Sequence, residues 1–142
     1  MAKIDELQEK YENLDNLLPV ESEDSISPEC LLSFDYEYPD NASEIIIDSD
    51  EFTAICPWTS LPDIGTLTIN YIPDRSCIEL KSLKYYLLSY RQVGIVQEHA
   101  ATRILNDLVG ICLPLKMEVT LDYKIRGGLH TTVTSTYVKP SG

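Results

Sequence analysis

After residue 43, the spacing of hydrophobic residues along this chain follows two different periods, one typical of strands and one typical of helices. Polar and apolar side chains alternate with a period of two in several segments rich in β-branched residues, which is typical of half-buried strands. The predicted strands are residues 44–55, 65–72, 117–123 and 130–137. The last two are joined around Arg126-Gly127-Gly128, which predicts a hairpin with a glycine-rich turn.

Between these pairs of strands, apolar residues recur at helical spacing. The predicted helices are residues 79–90, with Leu83, Tyr86, Leu87 and Tyr90 on one face, and residues 98–112, with a stripe from Ala101 to Cys112. The order strand, strand, helix, helix, strand, strand predicts an α+β fold with both helices on one face of a four-stranded antiparallel sheet. Such a sheet has two open edges, and closure into a ring of subunits would remove them.

The first 43 residues have a different character. Leu7, Tyr11, Leu14 and Leu18 predict a short amphipathic helix within residues 1–19. Residues 20–43 are rich in Glu, Asp, Ser and Pro and predict an extended, loosely ordered arm. The arm is either a solvated tail or a segment that packs on a neighbouring subunit. We therefore divide the chain into an acidic arm, 1–43, and a folded domain, 44–142.

Charge follows the same division. The net charge of -12 arises in residues 1–51, which hold 16 Asp and Glu against Lys3 and Lys10, whereas the rest is slightly basic. The basic residues are too dispersed for a duplex-binding surface, so we expect no direct nucleic-acid partner. The chain has no run of about 18 apolar residues and no apolar segment near Met1, so we expect no membrane contact and a cytosolic location.

The four cysteines, Cys30, Cys56, Cys77 and Cys112, form no C-x-x-C pair. A cytosolic chain of 142 residues can build a core, so a disulfide framework is not expected. With only two histidines, His99 and His130, spacing gives little support to a zinc site.

The segment with the clearest chemical potential runs from a cysteine to a carboxylic acid: Cys56-Pro57-Trp58-Thr59-Ser60-Leu61-Pro62-Asp63. The two prolines predict a stiff loop. A thiol is a strong nucleophile near neutral pH, and a nearby Asp can donate a proton. Alone, Cys56 would more often be a small buried hydrophobe, and Cys112, on the apolar stripe, is expected to be one.

Two further clusters carry polar groups. Lys81 and Lys84 lie one helical turn apart near a predicted helix start, which suits phosphate binding or, alternatively, an ordinary solvated face. Gln97 and Glu98 offer an amide and a carboxylate to the edge of a purine-like ring, although a Glu at a helix start also simply suits the helix dipole.

Together, Cys56-Pro57-x-Thr59-x-x-Pro62-Asp63 and Glu79-x-Lys81-Ser82-x-Lys84-x-Tyr86 resemble the NADPH-dependent 7-cyano-7-deazaguanine reductases, nitrile reductases of queuosine biosynthesis. The resemblance covers roughly residues 44–140. It implies a tunnelling fold, in which ββααββ subunits form homo-oligomeric β-barrel rings, with stacked pentamers expected. It also implies that the Cys56 thiolate adds to the nitrile to give a thioimide, that Asp63 protonates the nitrogen, and that two NADPH reductions yield the primary amine.

The resemblance also assigns binding residues. The substrate, 7-cyano-7-deazaguanine, would contact Ile78, Glu79, Leu80, Gln97 and Glu98. NADPH would contact Lys81, Ser82 and Lys84, with the two lysines acting across a subunit boundary. No metal ligand is implied.

The chain departs from the family in two places, with Gln97 where His is frequent and Leu80 where a small polar residue is frequent. For these we expect altered affinity and retained function. There is no G-x-G-x-x-G sequence, so the cofactor site is not of the Rossmann type.

Three other functions stay open. An archaeal relative keeps the cysteine loop and forms an amidine on a base in tRNA, but it lacks the lysine helix. A tunnelling-fold cyclohydrolase would use zinc held by Cys and His. A ring-forming purine-binding protein would carry an inert thiol.

Overall fold

A computed structural model describes residues 1–14 and 17–141. Its main sheet is antiparallel, with strand order β2-β3-β5-β6. The strands are β1 (Ser33–Asp35), β2 (Ile45–Ile55), β3 (Pro62–Ile72), β4 (Ser76–Ile78), β5 (Lys116–Tyr123) and β6 (Thr132–Val138). The helices are α1 (Ile4–Leu14), α2 (Leu80–Leu88) and α3 (Gln97–Cys112). The α+β prediction is confirmed, and the short antiparallel pair β1-β4 is an addition that the pattern did not predict.

The period of two places alternate side chains of the sheet under the helices. On β3, Leu67, Ile69 and Tyr71 are buried, while the residues between them point to the opposite face. The stripe of α3 packs against β5 and β6, with Ile104 and Leu108 fully buried and Val109 partly buried. Each such side chain contributes about 1.5–3 kcal/mol on burial.

A buried polar network fixes α2 to α3. The Tyr86 hydroxyl donates to Asp107 Oδ2 at 2.6 Å and contacts the Tyr90 hydroxyl at 2.7 Å. The Arg103 guanidinium donates to the same Asp107 oxygen at 3.0 Å. Burial raises the pKa of Tyr86 well above its usual range, so the hydroxyl stays protonated and donates. Tyr86, the last residue of the lysine-helix motif, is therefore a structural anchor.

Within residues 20–43, the structure corrects the solvated-tail interpretation. Two 3-10 turns, Glu23–Ser25 and Pro28–Cys30, precede β1, and Ile26 and Leu31 belong to the main core. These two apolar residues stand in a strongly acidic stretch, so composition averaged over the segment hid them. Packing on a neighbouring subunit and the boundary at residue 43 stay predictions.

The helix predicted within residues 1–19 is present as α1, which buries none of its residues within the chain. Residues 15 and 16 of that prediction lie outside the described residues. In the part of the chain that the structure describes, no helix has the length and apolar character needed to cross a membrane.

Candidate active site

The connection between β2 and β3 is a short closed loop that begins at Cys56. The Cys56 N–H donates to the Leu61 carbonyl at 2.9 Å, and the Ser60 N–H donates to the Cys56 carbonyl at 2.9 Å. Ser60 has a positive φ of 61°, which closes the turn. The prediction of a loop, not a helix, is confirmed, and its stiffness stays a prediction. Strand β3 begins at Pro62, earlier than predicted, because a proline is tolerated at the first residue of a strand.

Cys56 is buried, with an exposed fraction of 2%. Burial raises the pKa of the thiol, but hydrogen bonds from the Thr59 hydroxyl and from the N–H groups of Thr59 and Trp58 lower it. The Arg126 charge lowers it further, and the net pKa lies below the ordinary value of a cysteine. This environment favours the thiolate, which is the reactive form. Burial, by contrast, raises the pKa of Cys30 and of Cys112.

Asp63 lies on β3 opposite Ala54, on the face of the sheet that the helices cover. Its side chain is 4% exposed, and its Oδ1 accepts a 2.6 Å hydrogen bond from Arg126 Nη1. Burial raises the pKa of the carboxyl above its usual value, although Arg126 and a hydrogen bond from the Gln97 side chain act against this shift. A raised pKa suits a group that must carry a proton.

The start of α3 brings Gln97 and Glu98 to the same place. Gln97 is buried, and its backbone carbonyl accepts a 3.3 Å hydrogen bond from the Tyr123 hydroxyl. Glu98 is exposed, and its charge adds to the rise in the Asp63 pKa. The structure therefore brings four predicted site residues, Cys56, Asp63, Gln97 and Glu98, into one neighbourhood around Arg126.

The remaining predicted residues lie around the start of α2. The Ile78 N–H donates to the Tyr71 hydroxyl at 3.0 Å, and Glu79 caps the helix by accepting from the N–H groups of Lys81 and Ser82. Ser82 is buried: its hydroxyl accepts from the Leu32 N–H at 2.9 Å and donates to the Glu79 carbonyl at 2.8 Å.

Leu80, Lys81 and Lys84 are exposed. Leu80 and Lys84 border a groove of about 660 Å³ between α2 and β2, whose rim also carries Arg91. The groove has the size of a small-molecule site, and its lining carries two cations, the Lys84 ammonium and the Arg91 guanidinium, of the kind that bind phosphate groups. No hydrogen bond or ion pair within residues 1–14 and 17–141 connects this group with the one around Cys56.

Sequence reasoning missed two residues of the site. Arg126 is 63 positions from its partner Asp63, and Tyr123 was seen only as part of a strand. Only the glycine-rich turn next to Arg126 could have drawn attention to it.

Comparison with known proteins identifies the family. A model of the QueF-like protein family matches residues 62–141. The NADPH-dependent 7-cyano-7-deazaguanine reductase of Chlorobaculum tepidum is 51% identical over 114 residues, which cover 80% of this chain and 97% of the relative. The enzyme of the same name from Caldanaerobacter subterraneus subsp. tengcongensis is 50% identical and covers 82% of this chain and 87% of the relative. This chain belongs to that reductase family.

The 7-cyano-7-deazaguanine reductases are NADPH-dependent oxidoreductases, so the expected enzyme class and cofactor of this family member are confirmed. A further structure supports the fold. The apo crystal structure of the archaeosine synthase QueF-Like superposes with a TM-score of 0.64 at 20% identity, covering 72% of this chain and 99% of that one. At this identity the likeness concerns the fold alone, and it agrees with the tunnelling-fold subunit expected from the sequence.

Proposed function

We propose that this protein reduces the nitrile of 7-cyano-7-deazaguanine to 7-aminomethyl-7-deazaguanine, with NADPH as reductant, in queuosine biosynthesis. The observation that carries the proposal is the pairing of a cysteine of lowered pKa with a buried carboxyl of raised pKa in one site. Family membership supports the substrate, because relatives about half identical bear its name.

The proposed chemistry begins at Cys56. Its thiolate attacks the nitrile carbon and forms a C–S bond, while one π bond of the nitrile becomes a lone pair on nitrogen. Asp63 gives that nitrogen its proton, and the product of this step is a thioimide. NADPH, when bound, supplies hydride, and two equivalents are needed to reach the primary amine.

The proposed binding roles are those that the resemblance to the family implies. Gln97 and Glu98, beside Asp63, would hydrogen-bond the pyrimidine edge of the substrate, with Ile78, Glu79 and Leu80 completing the pocket. Lys81 and Lys84 would hold the cofactor phosphates. Ser82 is assigned to the same cofactor site by its position at the start of α2 and not through its hydroxyl, because both hydroxyl bonds are made within the chain.

We also propose a homo-oligomeric ring of stacked pentamers. Strands β2 and β6 are the edges of the main sheet, and pairing between copies would close it. The lysine group and the cysteine group are not connected within one described chain, which supports an active site completed by a neighbouring subunit. Absence of direct nucleic-acid contact and a cytosolic location stay predictions.

The decisive experiment is intact-mass measurement after mixing the protein with 7-cyano-7-deazaguanine without NADPH. We expect a covalent adduct of one substrate mass, lost in Cys56→Ser and retained in Cys30→Ser, with substrate-dependent NADPH oxidation by the unmodified protein. Absence of both adduct and oxidation would overturn the proposal.

The subunit arrangement has its own test. Cys56→Ser and Lys81→Ala/Lys84→Ala chains would each be inactive alone. Co-expressed in one oligomer, they should recover part of the activity. Some interfaces then combine an intact cysteine group from one subunit with an intact lysine group from its neighbour. No recovery in verified mixed oligomers would place both groups in the same subunit.

A further inference from the structure

We propose that Arg126 is a positioning residue for the reaction: its guanidinium holds the Asp63 carboxylate in the site and serves as the cation shared by Asp63 and Cys56. The inference rests on the proposed function for the roles of those two residues. It adds a third side chain, from a part of the chain that neither motif includes.

The β5-β6 turn determines where Arg126 lies. The backbones of Arg126 and Leu129 exchange two hydrogen bonds of 3.0 Å, which closes the turn. Gly127 and Gly128 have φ values of 59° and 79°, a conformation that glycine adopts without the strain of a Cβ atom. At the base of the turn, the Lys124 N–H donates to the Ile64 carbonyl at 2.9 Å, which ties it to β3 beside Asp63. The turn therefore aims Arg126 at its partner.

The other groups around the Asp63 carboxyl are negative or neutral, so Arg126 supplies the positive charge there. Around the carboxyl, α3 contributes the negative charge of Glu98 and the neutral Gln97, and β5 contributes the Tyr123 hydroxyl. Within residues 1–14 and 17–141, Asp63 forms one ion pair, and Arg126 is its partner. The Arg126 side chain is 46% exposed whereas that of Asp63 is 4% exposed, so the arginine reaches in from the surface.

The Arg126 cation can stabilise negative charge both before the thiolate adds to the nitrile and after the proton has been transferred. Before addition, the negative charge is on the Cys56 sulfur. After nitrogen has taken its proton, that charge is on the Asp63 carboxylate. A cation that is paired with Asp63 and whose charge also acts on Cys56 stabilises the reactive thiolate first and the conjugate base of the acid afterwards. It also strengthens Asp63 as an acid, which burial alone would weaken.

The test measures Cys56 directly, without substrate or NADPH. Alkylation by iodoacetamide is followed against pH, with peptide mass mapping to separate Cys56 from the other cysteines. The variants are Arg126→Gln, Arg126→Lys and, as a control of equal charge change in the same turn, Lys124→Gln. We expect the alkylation midpoint to rise in Arg126→Gln by more than the scatter of repeated titrations, because a cation that favours the thiolate is lost, and to stay near the unmodified value in the other two.

Equal midpoints in the unmodified protein and Arg126→Gln would overturn the proposal, as would an equal rise in Lys124→Gln. Should Arg126→Gln fail to fold because it leaves a buried carboxylate unpaired, the same substitution is made in Asp63→Asn, where that carboxylate is absent. The rise must then appear between Asp63→Asn and the double variant.

A kinetic reading separates positioning from structural support. Where NADPH oxidation is observed, Arg126→Gln should lower kcat more than it raises the KM for the nitrile, and Arg126→Lys should recover most of kcat. The expected rise of the alkylation midpoint in Arg126→Gln, without any nitrile adduct in the unmodified protein, would overturn the proposed function. It would still show that Arg126 stabilises the Cys56 thiolate.

Discussion

Glu79 and Ser82 hold each other by two hydrogen bonds at the start of α2. The Ser82 N–H donates to Glu79 Oε2 at 2.7 Å, and the Ser82 hydroxyl donates to the Glu79 carbonyl at 2.8 Å. The N–H groups of Ser82 and Lys81 lower the pKa of Glu79, so the cap is a carboxylate at neutral pH. Two of the five specified residues of the lysine-helix motif, Glu79 and Ser82, thus have a structural explanation that does not involve a ligand.

Ser82→Ala tests that explanation. The hydroxyl is the acceptor for the Leu32 N–H next to β1, so its removal leaves that donor without its partner. We expect a loss of about 1–2 kcal/mol in the free energy of unfolding by urea, and a KM for NADPH within twofold of the unmodified value. The control is Ser33→Ala, an exposed serine in β1, which should change neither quantity. Unchanged stability with a much raised KM would instead favour the cofactor contact.

Asp63→Asn should separate stability from activity. An acid whose folded pKa is above its unfolded value of about 3.9 binds more protons when folded. Folding therefore becomes less favourable as pH rises through that interval, and the penalty remains at higher pH. Asn removes the penalty, while the freed Arg126 remains solvated. At pH 7 we expect Asp63→Asn to show no substrate-dependent NADPH oxidation. Its Tm should equal or exceed that of the unmodified protein.

The pH dependence checks the sign. Any Tm advantage of Asp63→Asn should disappear as pH falls below the folded pKa of Asp63. Asp122→Asn provides the contrast, because hydrogen bonds from His130 and Thr132 lower the pKa of the exposed Asp122. Its loss of stability should be seen at neutral pH and vanish in acid. A lower Tm for Asp63→Asn at pH 7 would mean that the ion pair outweighs burial.

The sequence predicts well whatever depends on local periodicity. The four strands of the main sheet, the two core helices and the glycine-rich turn follow from spacing alone, with ends displaced by up to three residues, as at Pro62. The two candidate groups of site residues could be proposed from the sequence because each lies on a short contiguous motif, and their roles stay predictions.

What the sequence does not predict is contact between distant positions. The pairing of Asp63 with Arg126 spans 63 residues and depends on the register of β3, β5 and the turn that follows. Likewise, Ile26 and Leu31 lie in the core beside backbone bonds to distant residues: the Ser27 N–H donates to Ser89 Oγ and the Leu32 N–H donates to Ser82 Oγ. No composition window contains that information.

A last relationship connects the N-terminal arm to the cysteine loop through Gly94. The Gly94 N–H donates to the Glu21 carbonyl at 2.8 Å, and its neighbours Val93 and Ile95 pair with Ile55, the residue before Cys56. A Cβ added at Gly94 would lie 2.6 Å from Val20 Cγ1 and 3.5 Å from Pro57 Cβ. The glycine therefore lets the arm approach the base of the loop.

Gly94→Ala should displace residues 20–21, because Val20 is the closer obstacle. We expect hydrogen exchange at the residue 94 amide to accelerate by roughly tenfold, corresponding to about 1.4 kcal/mol of local stability, with a smaller effect on the core amides. Val20→Ala combined with Gly94→Ala removes the clash and should restore most of the protection. Gly110→Ala, in α3 with nothing near its added Cβ, should instead raise stability by roughly 0.5–1 kcal/mol. Equal protection in Gly94→Ala and the unmodified protein would show that the arm does not rest on the loop in solution.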